Sequence, residues 1–189
     1  KIESKGGISA RTTGDLTLSV EEFVEHGEVQ EGREVAGKHM KFTSPVYGKL
    51  LSDGGRIELE DNLSGGSAIS PNGSINIKNR ASNASIEAIG GTVHVHYAEN
   101  SSIIGDTVTI EHAINCEVMA KQLTIGLAQG CFLAAESANI GTSGDRKGSA
   151  TTVSVLIPDT ADAIRQARAL TTVIAEFDRL TLAKTAEMD

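Results

Sequence analysis

The sequence predicts an all-β fold, a right-handed parallel β-helix of short 15–18-residue coils, followed by a C-terminal α-helix. Three observations lead there. Apolar residues recur in register through the middle of the chain, Asn and Gly recur at one fixed offset, and the apolar period changes after Pro158.

Four segments align on their apolar positions: CFLAAESANIG (131–141), CEVMAKQLTIG (116–126), SSIIGDTVTIE (101–111) and ASIEAIGGTVHVH (84–96). GSAISPNGSINIK (66–78) and GKLLSDGGRIELE (48–60) match more loosely. Each unit contains two short alternating pieces, the period-two pattern of a strand with one face inside. The second piece runs Ile57/Leu59, Ile75/Ile77, Val93/Val95, Val108/Ile110, Leu123/Ile125 and Ala138/Ile140, with starts 18, 18, 15, 15 and 15 residues apart. The first runs Leu50, Ala68/Ser70, Ile86/Ala88, Ile103/Gly105, Val118/Ala120 and Leu133/Ala135.

A third side is also in register. Ala81, Ala98, Ala113 and Ala128 precede the first strands, and Asn83, Asn100, Asn115 and Gly130 follow two residues later. Asn and Gly accept a left-handed backbone at a corner, and stacked Asn side chains can bond along the ladder. Coils this short have a narrow interior, which suits a chain with 3% aromatic residues and no Trp. The repeat alone does not set the hand. The six-residue aliphatic repeat of left-handed β-helices is not sustained, which favours the right-handed form.

The chain divides into a strand pair with a capping insert (1–47), the β-helix (48–158) and an amphipathic helix (159–189). Residues 8–20 read as the strand pair. Ser19 and Glu22 have capping-box spacing, predicting a two-turn helix that stops at Gly27. Residues 28–47 read as a loop returning to the rod, and 141–150 as a flexible loop. Residues 151–158 read as a strand ended by Pro158, and Asp159 or Thr160 can cap the helix that follows. Ala163, Ala167, Leu170, Ile174 and Phe177 fall on one stripe of that helix, at alternating spacings of four and three. This stripe is the expected interaction surface, for a protein partner or for self-association.

The net charge of −8 argues against nucleic acid, and no apolar run is long enough to span a membrane. Two cysteines and no visible signal peptide point to a reducing, cytoplasmic setting. The start at Lys1 suggests a fragment.

Candidate chemistry is sparse, and neither catalytic residues nor cofactors are expected. His94 and His96 alternate with inward Val93 and Val95, and the coil alignment sets Glu111 beside His96. Two imidazoles and a carboxylate could hold a divalent metal, but a solvated His–Glu pair is the simpler expectation. Cys116 and Cys131 share a column and could form a disulfide, or pack as small buried thiols. The Gly-rich 141–150 segment leads into a strand rather than a helix, so it is not a phosphate loop.

The repeats GSINIK, GGTVHVH and GDTVTIE, the TTVSV exit strand with Pro158 and the closing helix resemble the flagellar assembly protein A family over about residues 48–185. The resemblance implies a right-handed β-helix followed by a coiled-coil-like helical stretch, and a link to flagellar assembly or polar organisation. Lys121 and Ser137 stand where that family often has Gly. The expected function is a non-enzymatic cytoplasmic scaffold. The alternatives are a glycan- or polymer-binding module (or a lyase-like enzyme) on the β-helix face, and a polymerising protein similar to the bactofilins.

Overall fold

The computed structural model describes residues 2–10, 16–157 and, in the C-terminal segment, 165, 168, 170, 171, 174 and 177, with side chains described from Glu22 onward. The described residues up to Leu156 form one solenoid unit, and Ile157–Asp189 is a second unit.

The solenoid begins with an antiparallel hairpin, β1 (Ile2–Ala10) and β2 (Leu16–Glu25), in which Ile8 faces Leu18 and Ala10 faces Leu16. From β2 onward the coil-to-coil pairings are parallel. The next strands are β3 (Glu34–Gly37), β4 (Met40–Phe42), β5 (Lys49–Ser52), β6 (Arg56–Leu59), β7 (Leu63–Ser64), β8 (Ser67–Ile69) and β9 (Ser74–Ser82). Then come the long, corner-turning strands β10 (Ser85–Glu99), β11 (Ser102–Ile114), β12 (Glu117–Gln129) and β13 (Phe132–Gly144), and the short β14 (Thr152–Val155).

Stacking produces three faces. On the first, β3, β5, β8 and the leading parts of β10 to β13 lie in register, ending with β14 on 132–135. The second runs β2-β4-β6-β9-β10-β11-β12-β13, a stack of about eight turns. The third is a ladder from Val29 through Val46, Leu63, Ala81, Ala98 and Ala113 to Ala128.

That ladder explains how the coils change size. Successive members are 17, 17, 18, 17, 15 and 15 residues apart, and the 15-residue coils carry only Ala in this ladder. The shortening happens at two corners: one residue is lost where Ile77–Arg80 of one coil meets Val95–Tyr97 of the next, and two more are lost a coil later. Where β10 uses Ile89, Gly90 and Gly91 to turn between Ala88 and Thr92, β11 uses Asp106 alone between Gly105 and Thr107. A smaller circumference encloses less volume, and close packing then requires smaller side chains. Phe42, Met40, Leu50, Ile57, Leu59 and Leu63 fill the wider coils and are fully buried. Burial of a side chain of this size stabilises by about 1.5–3 kcal/mol.

Two expectations are overturned upstream. The helix predicted after Ser19 does not form, because residues 16–25 are β2 and Phe23–Glu25 pair in parallel with Met40–Phe42. Capping-box spacing is a local signal, and tertiary pairing overrides it. Residues 28–47 are not a returning loop either. They supply the Val29 and Val46 rungs, β3 and β4, so the solenoid extends well before Leu50. The buried Glu25 occupies an inward position of this first turn, where it accepts bonds from the Gly27 amide at 3.2 Å and from Arg33 at 3.1 Å.

Downstream, β13 continues to Gly144, and Arg146–Ser149 closes as a tight antiparallel turn rather than an open loop. Strand β14 ends at Val155. Pro158 and the helix caps Asp159 and Thr160 lie outside the described residues, as do Ala163 and Ala167 of the expected stripe.

Candidate functional site

The outward residues of the coils are arranged in columns, and these set what the surface can do. Asn76, His94, Thr109 and Thr124 are one column of the second face. Within it His94 Nδ1 donates to Asn76 Oδ1 at 3.1 Å. His96 meets Glu111 at 2.9 Å, so the predicted His–Glu pair is present. The two histidines therefore engage different partners. Among the described residues, no group of three or more His, Cys, Asp or Glu side chains is placed to hold a metal ion.

A second feature adjoins this pair. Arg80, Tyr97, His112 and Leu127 are in register on successive coils. The Arg80 guanidinium lies 4.4 Å from the Tyr97 ring centroid, and Tyr97 stacks on His112 at 6.2 Å and 27°. His112 in turn meets His96 edge-on at 6.3 Å. Stacked rings and a guanidinium form a π-rich ridge, a surface suited to planar or hydroxylated ligands. Each member directly precedes an alanine of the third-face ladder, so the sequence carried a signal for this column that repeat alignment alone did not weigh.

Charged columns staple other coils together. Lys78 bonds Glu58 and Glu60, both at 2.8 Å, and Lys41 reaches Glu60 at 2.7 Å. Bonds from Lys41 and then Lys78 lower the Glu60 carboxyl to about 2, while Glu60 raises Lys41 and Glu58, followed by Glu60, raises Lys78. At the corner where two residues are lost, Asp106 accepts the Gly90 amide at 2.9 Å and pairs with Lys121. Its carboxyl is lowered, by Lys121 first and the Gly90 amide second. These groups are satisfied along the rod axis and do not converge on a shared point.

Cys116 and Cys131 are both free thiols and both buried. The Cys116 amide approaches Cys131 Sγ at 3.5 Å, and Cys116 Sγ donates to the Ile114 carbonyl at 3.2 Å. The contact with Cys131, followed by burial, raises the Cys116 thiol and holds it protonated. Two buried thiols packed as small hydrophobes account for this column.

Of the expected helical stripe, Leu170, Ile174 and Phe177 are described. All three are helical and exposed, at 63%, 60% and 66%. No helix among the described residues is long and apolar enough to cross a membrane.

The fold and these columns define a parallel β-solenoid repeat protein. Comparison with protein-family models, with curated proteins and with solved structures gives no match.

Proposed function

We propose that this chain is a non-enzymatic scaffold, in which a right-handed β-solenoid is a rigid spacer and the C-terminal helix docks a protein partner. The observation that carries this reading is the pairing of a laddered rod with exposed Leu170 and Ile174, four residues apart on a helix. Side chains four apart share one helix face, and an apolar face of this kind is a recognised mode of partner binding. The outward ion pairs support the spacer role, because contacts such as Lys78 to Glu60 and Lys121 to Asp106 tie one coil to the next. A role in flagellar assembly or polar organisation follows from the family resemblance, a cytoplasmic setting follows from the two cysteines, and both form part of the proposal.

The test is affinity capture from a cell extract with the full chain and with Leu170→Asp/Ile174→Asp. The proposal predicts a specific partner that the double variant loses. A partner retained by the double variant would place recognition on the rod.

The Arg80–Tyr97–His112 ridge favours a second reading, a glycan- or polymer-binding face. A glycan array gives hits that Tyr97→Ala abolishes if this reading holds, and no hits if it does not.

A further inference from the structure

The two ends of the solenoid differ. At the start, β2 continues into a hairpin, so its edge is paired with β1. At the other end, β14 covers only 132–135, and among the described residues no strand pairs the outer edge of 137–144. The inward columns are correspondingly open. Ala138 is exposed and Ile140 is only partly buried, while Val153 and Val155, which continue the Leu133 and Ala135 columns, are 46% and 73% exposed.

This end is a step, because β14 stands one strand spacing, about 4.8 Å, beyond the neighbouring edge at 137–140. A step of one strand is complementary to itself under a two-fold rotation. The raised strand of each copy then fills the recess of the other. Both elements suit the pairing. Residues 137–140 (Ser, Ala, Asn, Ile) and 152–155 (Thr, Val, Ser, Val) contain neither charge nor proline, the residues that ordinarily protect a sheet edge. An antiparallel register that sets Val153 opposite Ile140 also sets Val155 opposite Ala138, so inward side chains meet inward side chains.

We propose that the C-terminal end of the solenoid is a homodimer interface, in which 152–155 of one copy pairs antiparallel with 137–140 of a second copy, and the reverse. Such an interface is isologous and closes at two chains. Two four-residue strand pairings make a small contact beside the roughly 800 Å² per partner of a standard interface, so the dimer is expected to be weak and to form with rising concentration. The proposal goes beyond the scaffold reading and uses different residues from the helix.

Sedimentation equilibrium of the full chain, from about 5 μM to about 500 μM, tests it. The mass is expected to rise from 19.8 kDa toward twice that value. Val155→Lys should weaken association at least ~10-fold, and Ala138→Glu/Val155→Lys should recover it, because each pairing then sets Glu against Lys. Circular dichroism confirms that each variant is folded. Leu170→Asp/Ile174→Asp should leave the dimer intact, which separates this interface from helix docking. A single-chain mass throughout, assembly beyond two chains, an unaffected Val155→Lys, a double variant that does not recover, or loss of the dimer on the helix substitutions would each overturn the proposal.

Discussion

The side-chain amide of Asn115 donates to Asn100 Oδ1 at 3.3 Å, one coil away along the rod. Both residues have left-handed backbones, with φ of 50° and 49°, as do Asn83 at 51° and Gly130 at 63°. The column thus uses Asn for two reasons at once: tolerance of positive φ and a bond along the stack. Asn115→Ala keeps neither and should lose about 1–2 kcal/mol. Asn115→Gly keeps the backbone freedom and should lose under about 1 kcal/mol. Urea unfolding of both variants measures the difference, and equal losses would show that the backbone conformation is not the constraint.

The opposite corner depends on close backbone approach. A Cβ on Gly73 would lie 2.0 Å from the Gly55 carbonyl oxygen and 2.2 Å from Ser70 Oγ. Neither atom can move far, since the Ser70 hydroxyl already donates to that same Gly55 carbonyl at 2.8 Å. Gly73→Ala should therefore cost about 3 kcal/mol, through forced separation of adjacent coils. Gly144→Ala, whose Cβ meets nothing within 4 Å, is the control and should be near neutral when both variants are compared by urea unfolding.

Much of this fold was legible in the sequence wherever inward residues were aliphatic and repeated at constant spacing. Ile75, Val93, Val108 and Leu123 and the Ala81 to Ala128 ladder lie where the pattern put them. The first turns were not legible for a physical reason. Their wider interiors take Phe42, Met40 and the paired Glu25, so the small-residue signature that marks later coils is missing. Ser19 and Glu22 added a competing local signal for a helix. At the surface, the His96–Glu111 pair followed from register alone. The Arg80–Tyr97–His112 ridge did not, because it needs side-chain stacking as well as column membership.

The charged staple makes a pH prediction. Glu60 is depressed from 4.5 to about 2 in the folded chain. A depressed carboxyl contributes stability above its unfolded value, and that contribution is lost as pH falls from about 4.5 through about 2. The site is solvated, so the contribution is below about 1 kcal/mol. Lys41→Met should lower stability slightly at pH 7 and not at pH 2, as followed by urea unfolding at each pH. An equal deficit at both values would assign the effect to packing of the lysine stem.

The thiols make a chemical one. With both cysteines buried and Cys116 held protonated, an aromatic disulfide reagent should titrate two thiols in denaturant and react at least ~100-fold more slowly in the native chain. Fewer than two thiols in denaturant, on protein purified without reductant, would indicate a disulfide between the coils.

The proposed rigid spacer depends on parallel coils stacked in strict register. Lys41, Glu58, Asn76, His94, Thr109, Thr124 and Asn139 form one outward column, each in register with the next. Lys41 and Asn139 are thus six coil spacings apart, roughly 29 Å. Spin labels at Lys41→Cys and Asn139→Cys, with the native thiols buried, report this distance directly by pulsed electron resonance. One narrow distribution near that value is expected. A broad distribution, or a maximum well away from it, would contradict the stacked register and with it the spacer role.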